Sequence, residues 1–432
     1  MTILLLMGIT IFIPLMLGVP IAVALGTGGI FWLVLLDVNT LKGAAFAVWN
    51  TASNDVLISV PLFIWMGEII QRAGIATRFY NAVTLWVRWL PGGLLHANIA
   101  ACALFSAVSG SSIATAATIA KSAIPNLLRL KYDKRQVFGS LAAGGTLGIL
   151  IPPSIPLIIY AALVEASLGR LFLAAIVPGV MMVLIFHTYI LLTTLRTPHR
   201  HCHRADDEAG QSRLRSLAEI FPLVTIIVCI LGGIYYVGAS TNEVAGVGVL
   251  ASLLVAAVRR CLSPSMLWES LLSTARVTSL LIFVVIGAQI FSFAVFSWGV
   301  NWEVTNWIEQ SSLDRVSVLL AIIAMYFVLG MFIDAISMMV LTLSIVYPII
   351  MALNYDPVWF GIVLVLILEI GLITPPVGMN LFTIQAVDPV NITFLEVARG
   401  ALPYVVLLLL GIGFLIAFPD LALWLPSRAR MS

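Results

Sequence analysis

An all-α membrane protein made of two inverted repeats, each with a re-entrant helical hairpin and a broken helix, is the fold this sequence predicts. Three observations predict it. The 432 residues are 61% hydrophobic and only 10% charged, with a mean hydropathy of +1.10. A water-soluble chain of this length cannot hide that much apolar surface, so the solvent is the bilayer. Second, Gly148-Ile149-Leu150-Ile151-Pro152-Pro153-Ser154 interrupts a run that should be a membrane helix, and the pattern returns at Gly371-Leu372-Ile373-Thr374-Pro375-Pro376-Val377-Gly378. Third, one offset of 223 (371 less 148) links Gly148 to Gly371, Pro125 to Pro348, Tyr132 to Tyr355, Asp133 to Asp356 and Pro152 to Pro375 without a gap. Upstream the offset becomes 220 (279 less 59), pairing Ser59, Phe63 and Gly67 with Ser279, Phe283 and Gly287.

Proline lacks the backbone donor and clashes with the preceding turn, so the chain unwinds at each Pro-Pro. Unwound backbone at membrane depth is tolerated only where protein or a polar cavity covers it. Two such breaks in matching places point to the binding site of a transporter.

The first repeat covers residues 1–195. Residues 2–36 exceed the roughly 20 that one span needs; Gly18 and Pro20 either kink one long helix or divide two short ones. The start of the chain has no basic n-region and no clear cleavage site, which predicts a retained helix rather than a signal peptide. Residues 41–53 are amphipathic and 56–70 form a clear span. Residues 75–90 mix Arg78 and Arg88 with Phe79, Tyr80, Trp86 and Trp89, the composition of an interfacial helix. A hairpin at about 94–128 follows, turning at Ser109-Gly110-Ser111-Ser112; a single helix kinked at Gly110 is the competing reading. The broken helix occupies about 137–164, and a span covers 171–195.

A polar loop, 196–218, separates the halves, and the second repeat fills 219–426. Its spans lie at 220–237, 244–258 and 277–296, with an interfacial helix at 301–310. A hairpin at about 314–352 turns around Gly330 to Asp334, a broken helix takes about 359–387, and a last span covers 401–418.

Charge placement predicts the inversion. The loop after the first hairpin holds Arg129, Lys131, Lys134 and Arg135, whereas its counterpart, 353–356, holds no basic residue. Short basic loops stay cytoplasmic, so the two loops should face opposite sides. By that count Arg196, Arg200, Arg204, Arg213 and Arg215 are inside, as are Arg259 and Arg260. The N-terminus is inside if residues 2–36 cross once and the C-terminus is outside, although Arg428 and Arg430 pull the other way. The formal charge of +2 gives no sign of a nucleic-acid partner. Cys102, Cys202, Cys229 and Cys261 are scattered, as small core residues are.

Helix C-termini and freed carbonyls suit a small hard cation such as Na⁺. The first half offers Ser109, Ser112 and the carbonyls of Gly148, Ile151 and Pro153; the second offers the Gly330 and Gly371 regions and Thr374. Helix N-termini near Ser111 and Asp334 present amides that suit a carboxylate, and Asn380 stands one turn past the second break, where it could bond a substrate. The plainer alternative for Ser and Gly is close helix packing. A carboxylate such as Asp334 inside a membrane marks a functional site by default, facing a cation or carrying a proton; capping the next helix is the alternative. Glu369 and Glu68 read as structural acceptors or rim residues. The tract His199-Arg200-His201-Cys202-His203 mimics a metal site but reads as a basic topogenic loop. No His-Glu-x-x-His, no nucleophile–base pairing and no ATP-binding motif is present, which argues against an enzyme and for an ion gradient as the energy source.

The segments SGSSIATAATI, KYDKRQVFGSLAAGGTLGILIPPSIPLIIYA, SLGRLFLAAIVPG, VPLFIWMGEII and LEIGLITPPVGMNLF resemble the large membrane subunit of tripartite ATP-independent periplasmic (TRAP) transporters, over residues 17–418. The resemblance implies an elevator-type fold in the bacterial inner membrane, in contact with lipid, and Na⁺-driven uptake of an organic acid. It also implies two partners: a periplasmic binding protein that delivers the acid, and a small four-helix permease subunit as a separate chain. Carried over by motif, one Na⁺ site falls on Ser109, Ser112, Gly148, Ile151 and Pro153, and the other on Gly330, Gly371, Thr374 and Val377. Ser111, Ser112, Asp334 and Asn380 are the candidates for solute. Asn126, Lys121 and the long His/Arg loop depart from the family pattern and bear on substrate rather than fold. A stand-alone Na⁺/divalent-anion symporter and an ion channel are the alternatives.

Overall fold

The computed structural model describes residues 2–196, 213–310 and 314–429; the 197–212 loop with the His199–His203 tract lies outside them. Within those residues the chain is all-helical. Among the described residues six helices are long and apolar enough to cross a membrane, or seven with one bent pair counted as a single span.

Helices α1 (Thr2–Met16) and α2 (Ile21–Leu36) divide the long N-terminal run. Trp32 Nε1 donates to Thr10 Oγ1 at 2.9 Å, and Gly28 lies against Ile11, so the two run antiparallel. Of the two readings open for residues 2–36, two short helices is the one observed, because Pro20 cannot continue a helix but suits the start of one. The one-crossing count for the N-terminus therefore does not apply; its two ends, Thr2 and Leu36, lie at the same end of this pair. Helices α3 (Leu41–Ala52) and α4 (Asp55–Arg72) meet at a 46° bend, where the Asn54 side chain caps α4 through Val56 N at 2.9 Å.

Next come α5 (Ile75–Val87), the pair α6 (Leu94–Ser109) and α7 (Ser112–Arg129), and the interrupted pair α8 (Lys134–Thr146) and α9 (Ile155–Val164). Helix α10 (Leu168–Arg196) ends the first half, and α11 (Arg213–Gly232), a π-turn at Gly233–Val237 and α12 (Thr241–Val258) open the second. The helices therefore run further into the 196–218 loop than hydropathy indicates. Helix α13 (Pro264–Ser297) is 34 residues long, well beyond the span at 277–296. Its polar first turns are held on α4: Trp65 Nε1 donates to Ser270 Oγ at 3.0 Å, Ser273 Oγ to Glu68 Oε1 at 2.8 Å, and Arg72 pairs with Glu269 at 2.7 Å. Glu68 is thus a structural acceptor.

The second half continues through α14 (Val300–Gln310), the pair α15 (Arg315–Gly330) and α16 (Ala335–Ala352), the interrupted pair α17 (Pro357–Ile373) and α18 (Met379–Gln385), then α19 (Phe394–Ala417) and α20 (Asp420–Arg428). Helix α17 is buried from Val358 to Ile373, packed against α8, α9, α10, α15, α16 and α19.

The 223-residue offset holds bond by bond. Tyr132 N donates to Leu127 O at 3.1 Å, and Tyr355 N to Ile350 O at 3.1 Å. Lys131 (φ 58°) and Asn354 (φ 56°) share the left-handed conformation. Asp133 caps α8 through the amides of Arg135 and Gln136, and Asp356 caps α17 through those of Val358 and Trp359. In both halves the tyrosine closes its own hairpin. The Tyr132 hydroxyl lies 3.5 Å from Leu94 N; the Tyr355 hydroxyl donates to Arg315 O at 3.4 Å, with the Arg315 guanidinium 3.7 Å above its ring. Each pair of helices therefore folds back on itself, and residues 94–129 are not one helix kinked at Gly110.

Candidate functional site

Helix α6 stops because Gly110 adopts φ +60°, a conformation open to glycine at little steric penalty, while its N–H still reaches Ser106 O at 2.9 Å. Ser111 then turns extended and caps α7, its Oγ accepting from Ala114 N at 3.4 Å. Ser109 Oγ lies 2.6 Å from Thr115 Oγ1 and 3.2 Å from Ser111 O. Helix α8 stops at Thr146, the chain turns through 147–153 with a cis Pro152-Pro153 bond, and Ser154 caps α9. The Ser154 hydroxyl also donates to Ile149 O.

The hairpin tip and the break are in contact. Ile155 N donates to Gly110 O at 3.4 Å. A Cβ on Gly148 would sit 2.7 Å from the Ser111 carbonyl and Ser112 Cα, and one on Gly110 would sit 2.9 Å from Pro153 O. Ser109, Ser111, Ser112, Gly148 and Pro153 are thereby gathered at one place; Ser112 is 3% exposed. Ile151 belongs to the same turn, its side chain directed at Gly179 on α10. Among the described residues no hydrogen bond reaches the carbonyls of Gly148, Ile151 or Pro153.

The second half repeats the plan with less polar material. Met331 to Ile333 form the turn after Gly330, and Asp334 caps α16, accepting from Ser337 N at 3.0 Å. Helix α17 ends at Ile373; Thr374 turns extended with its hydroxyl donating to Ile370 O at 2.6 Å, and Pro375-Pro376 is cis. Val377 N donates to Met331 O at 3.1 Å. Gly330 and Gly371 are back to back, so a Cβ on Gly371 would lie 2.9 Å from Gly330 Cα. Asp334 is exposed on this chain, and its carboxylate caps the N-terminus of α16 at the hairpin tip. Asn380 is fully buried; its Nδ2 donates to Ala142 O on α8 at 3.3 Å and its Oδ1 has no hydrogen-bond partner among the described residues.

In each half, then, two helix C-termini and two helix N-termini converge. The C-termini with their freed carbonyls can hold a small cation, and the N-termini can hold a carboxylate. No cluster of three or more His, Cys, Asp or Glu that could hold a metal exists among the described residues, so a cation here would take carbonyl and hydroxyl oxygens.

One contact escaped the sequence reading. Thr146 Oγ1 lies 3.3 Å from Glu369 Oε2, both residues fully buried. These two positions are themselves related by the offset of 223, so the halves touch at equivalent points. The one signal in the sequence was a lone acid in a long apolar helix.

Residues 8–421 match the family described as the tripartite ATP-independent periplasmic transporter, DctM component. The C4-dicarboxylate TRAP transporter large permease protein DctM of Pseudomonas aeruginosa is 33% identical over 414 residues, 95% of each chain. The ectoine/5-hydroxyectoine large permease protein UehC of Ruegeria pomeroyi is 32% identical over 433 residues, 98% of each. Among solved structures, the YdaH transporter of Alcanivorax borkumensis aligns with a TM-score of 0.58 at 16% identity, covering 90% of this chain and 91% of that one, a likeness of fold alone.

Proposed function

The chain belongs to the DctM component family of tripartite ATP-independent periplasmic transporters, multi-pass membrane permeases and not enzymes, and we propose that it carries an organic acid together with Na⁺ across the bacterial inner membrane. The two relatives named above are permeases for C4-dicarboxylates and for ectoines, which share a carboxylate and little else. A carboxylate is thus the common handle, and the rest of the solute is selected by a periplasmic binding protein. A small four-helix permease subunit completes the membrane complex, resting with lipid against exposed apolar faces such as Leu5, Ile9 and Phe12 of α1.

Two antiparallel halves bring the hairpins in from opposite faces, with their tips near the middle of the membrane. The single observation that supports a binding site there is the meeting of tip and break in both halves, by Ile155 N to Gly110 O and by Val377 N to Met331 O. Na⁺ sits between tip and break at Ser109, Ser112, Gly148, Ile151 and Pro153, and at Gly330, Gly371, Thr374 and Val377. Closing a tip completes the oxygen shell, so cation binding and solute capture are linked. The block of α6–α9 and α15–α18 then moves as an elevator against a scaffold built on α2, α4, α12 and α13, which α5 and α14 brace at the interfaces.

The test is uptake of labelled carboxylates into liposomes holding this chain and its small subunit. Uptake should require both an inward Na⁺ gradient and the binding protein. Uptake without the binding protein would favour a stand-alone symporter, and flux that neither saturates nor needs Na⁺ would favour a channel.

A further inference from the structure

Away from both tips, a cavity of about 90 Å³ lies where α9 and α16 meet α13 and α14. Five polar side chains line it: Gln289 and Ser292 on α13, Asn301 on α14, and Ser344 and Tyr347 on α16. The rest of the wall is apolar, Leu163 of α9 included, and no charged side chain takes part. No hydrogen bond among the described residues joins any two of the five, and Asn301 Oδ1 is buried with no partner among them. Polar groups held off from water in this way need a partner. The space supplies room for one, about three waters at about 30 Å³ each.

We propose that this cavity is a binding site for a small uncharged molecule rich in hydroxyl or amide groups, of the size of a three-carbon polyol. The chemistry of the wall selects that class. Amide and hydroxyl side chains both donate and accept, so their complement is a molecule that does both. A cation would use only their oxygens and leave the NH₂ groups of Gln289 and Asn301 without acceptors. An anion would give up its water for neutral partners, close to acids, since Asp356 and Glu165 are the charges that act on the Tyr347 hydroxyl. The site is therefore distinct from the one that takes the transported acid. Its place gives it a consequence, which rests on the reading of α9 and α16 as moving and α13 and α14 as static. An occupant bonded to both sides holds the block where it is, because a ligand that fits one arrangement shifts the population towards it.

Thiol protection in the membrane complex tests the site without reference to transport. Ser344→Cys, in a background lacking the other cysteines, should react with methyl methanethiosulfonate, which is small and neutral. Glycerol should slow that reaction about twofold once its concentration equals its Kd. Ser292→Cys on the facing wall should behave alike, which keeps the test open should one variant fail to fold. Asn354→Cys, exposed on the surface, should ignore glycerol. Sucrose, too large for the space, should protect neither wall. Absence of glycerol protection at both walls overturns the inference; so does protection by NaCl, which would make this a cation site, or by potassium succinate, which would make it an acid site. Uptake tests the consequence separately. Glycerol should lower the maximal rate for the acid more than sucrose does at equal viscosity, with the half-saturating concentration unchanged. Protection with no such loss would overturn the holding role and speak against α16 as a moving element, while the ligand site itself would stand.

Discussion

Ser111 and Asp334 hold equivalent places in the two hairpins and make the same bond, to the amides of Ala114 and Ser337, themselves offset by 223. One cap is a neutral hydroxyl and the other a carboxylate. Backbone geometry is thus repeated while charge is not. At the first tip the positive end of α7 stays available to an anion; at the second, Asp334 occupies the end of α16. The surroundings differ in the same sense, with Ser109, Ser112, Thr115 and Ser154 around the first break and Thr374 alone among the hydroxyls named at the second. On the proposed function, this difference would favour a solute carboxylate at the first tip over the second.

The largest effects test whether the two regions are equivalent in reverse. Lys131 and Asn354 are both exposed and share one conformation. Lys131→Cys and Asn354→Cys should label from opposite faces of the membrane with an impermeant thiol reagent, in a background lacking the other cysteines. Labelling from one face would dissolve the comparison. Next, Gly148→Ala places a methyl 2.7 Å from the Ser111 carbonyl. Overpacking of about 1–3 kcal/mol, if it falls on the closed tip, corresponds to a loss of uptake of about five- to 150-fold. Gly371→Ala, at 2.9 Å from Gly330, should be comparable. Wild-type uptake in either would show that tip and break need not touch. Ser112→Ala and Thr374→Ala each remove one candidate oxygen, so the Na⁺ concentration for half-maximal uptake should rise by about tenfold, the equivalent of one ligand worth about 1.4 kcal/mol. An unchanged Na⁺ dependence in both would detach these residues from the cation.

Much of this was legible in the sequence, and for identifiable reasons. Pro-Pro, Tyr-Asp and Pro act on the backbone directly, so Pro152-Pro153, Tyr132-Asp133 and their partners fixed where helices stop and start. Periodic apolar runs located most spans. Helix ends made of polar residues that pack on a neighbour were not legible: the first turns of α13 read as loop because Glu269 and Ser273 owe their place to Glu68 and Arg72 on α4. For Asp334 the sequence left open an interior charge and a helix cap, and the cap on Ser337 N is what the structure shows. Glu369 and Thr146 were missed as a pair, since only the fold brings two positions 223 apart into contact.

The smallest predicted effect probes the charge difference itself. Asn caps a helix about as well as Asp, so Asp334→Asn should leave stability within a few tenths of a kcal/mol. It removes one negative charge from the second tip, whose influence at a helix end is worth ~0.3–1 kcal/mol, so affinity for an anionic solute should rise by about two- to fivefold. Ser111→Asp does the reverse at the first tip and should weaken the same solute by at least as much, because there the acid would compete with the solute for the α7 amides. Added salt should shrink the first effect more than the second, since Asp334 is exposed and Ser111 half-buried. If Asp334→Asn weakens the solute while Ser111→Asp leaves it alone, the carboxylate docks through the second half, and the assignment of the two tips must be exchanged.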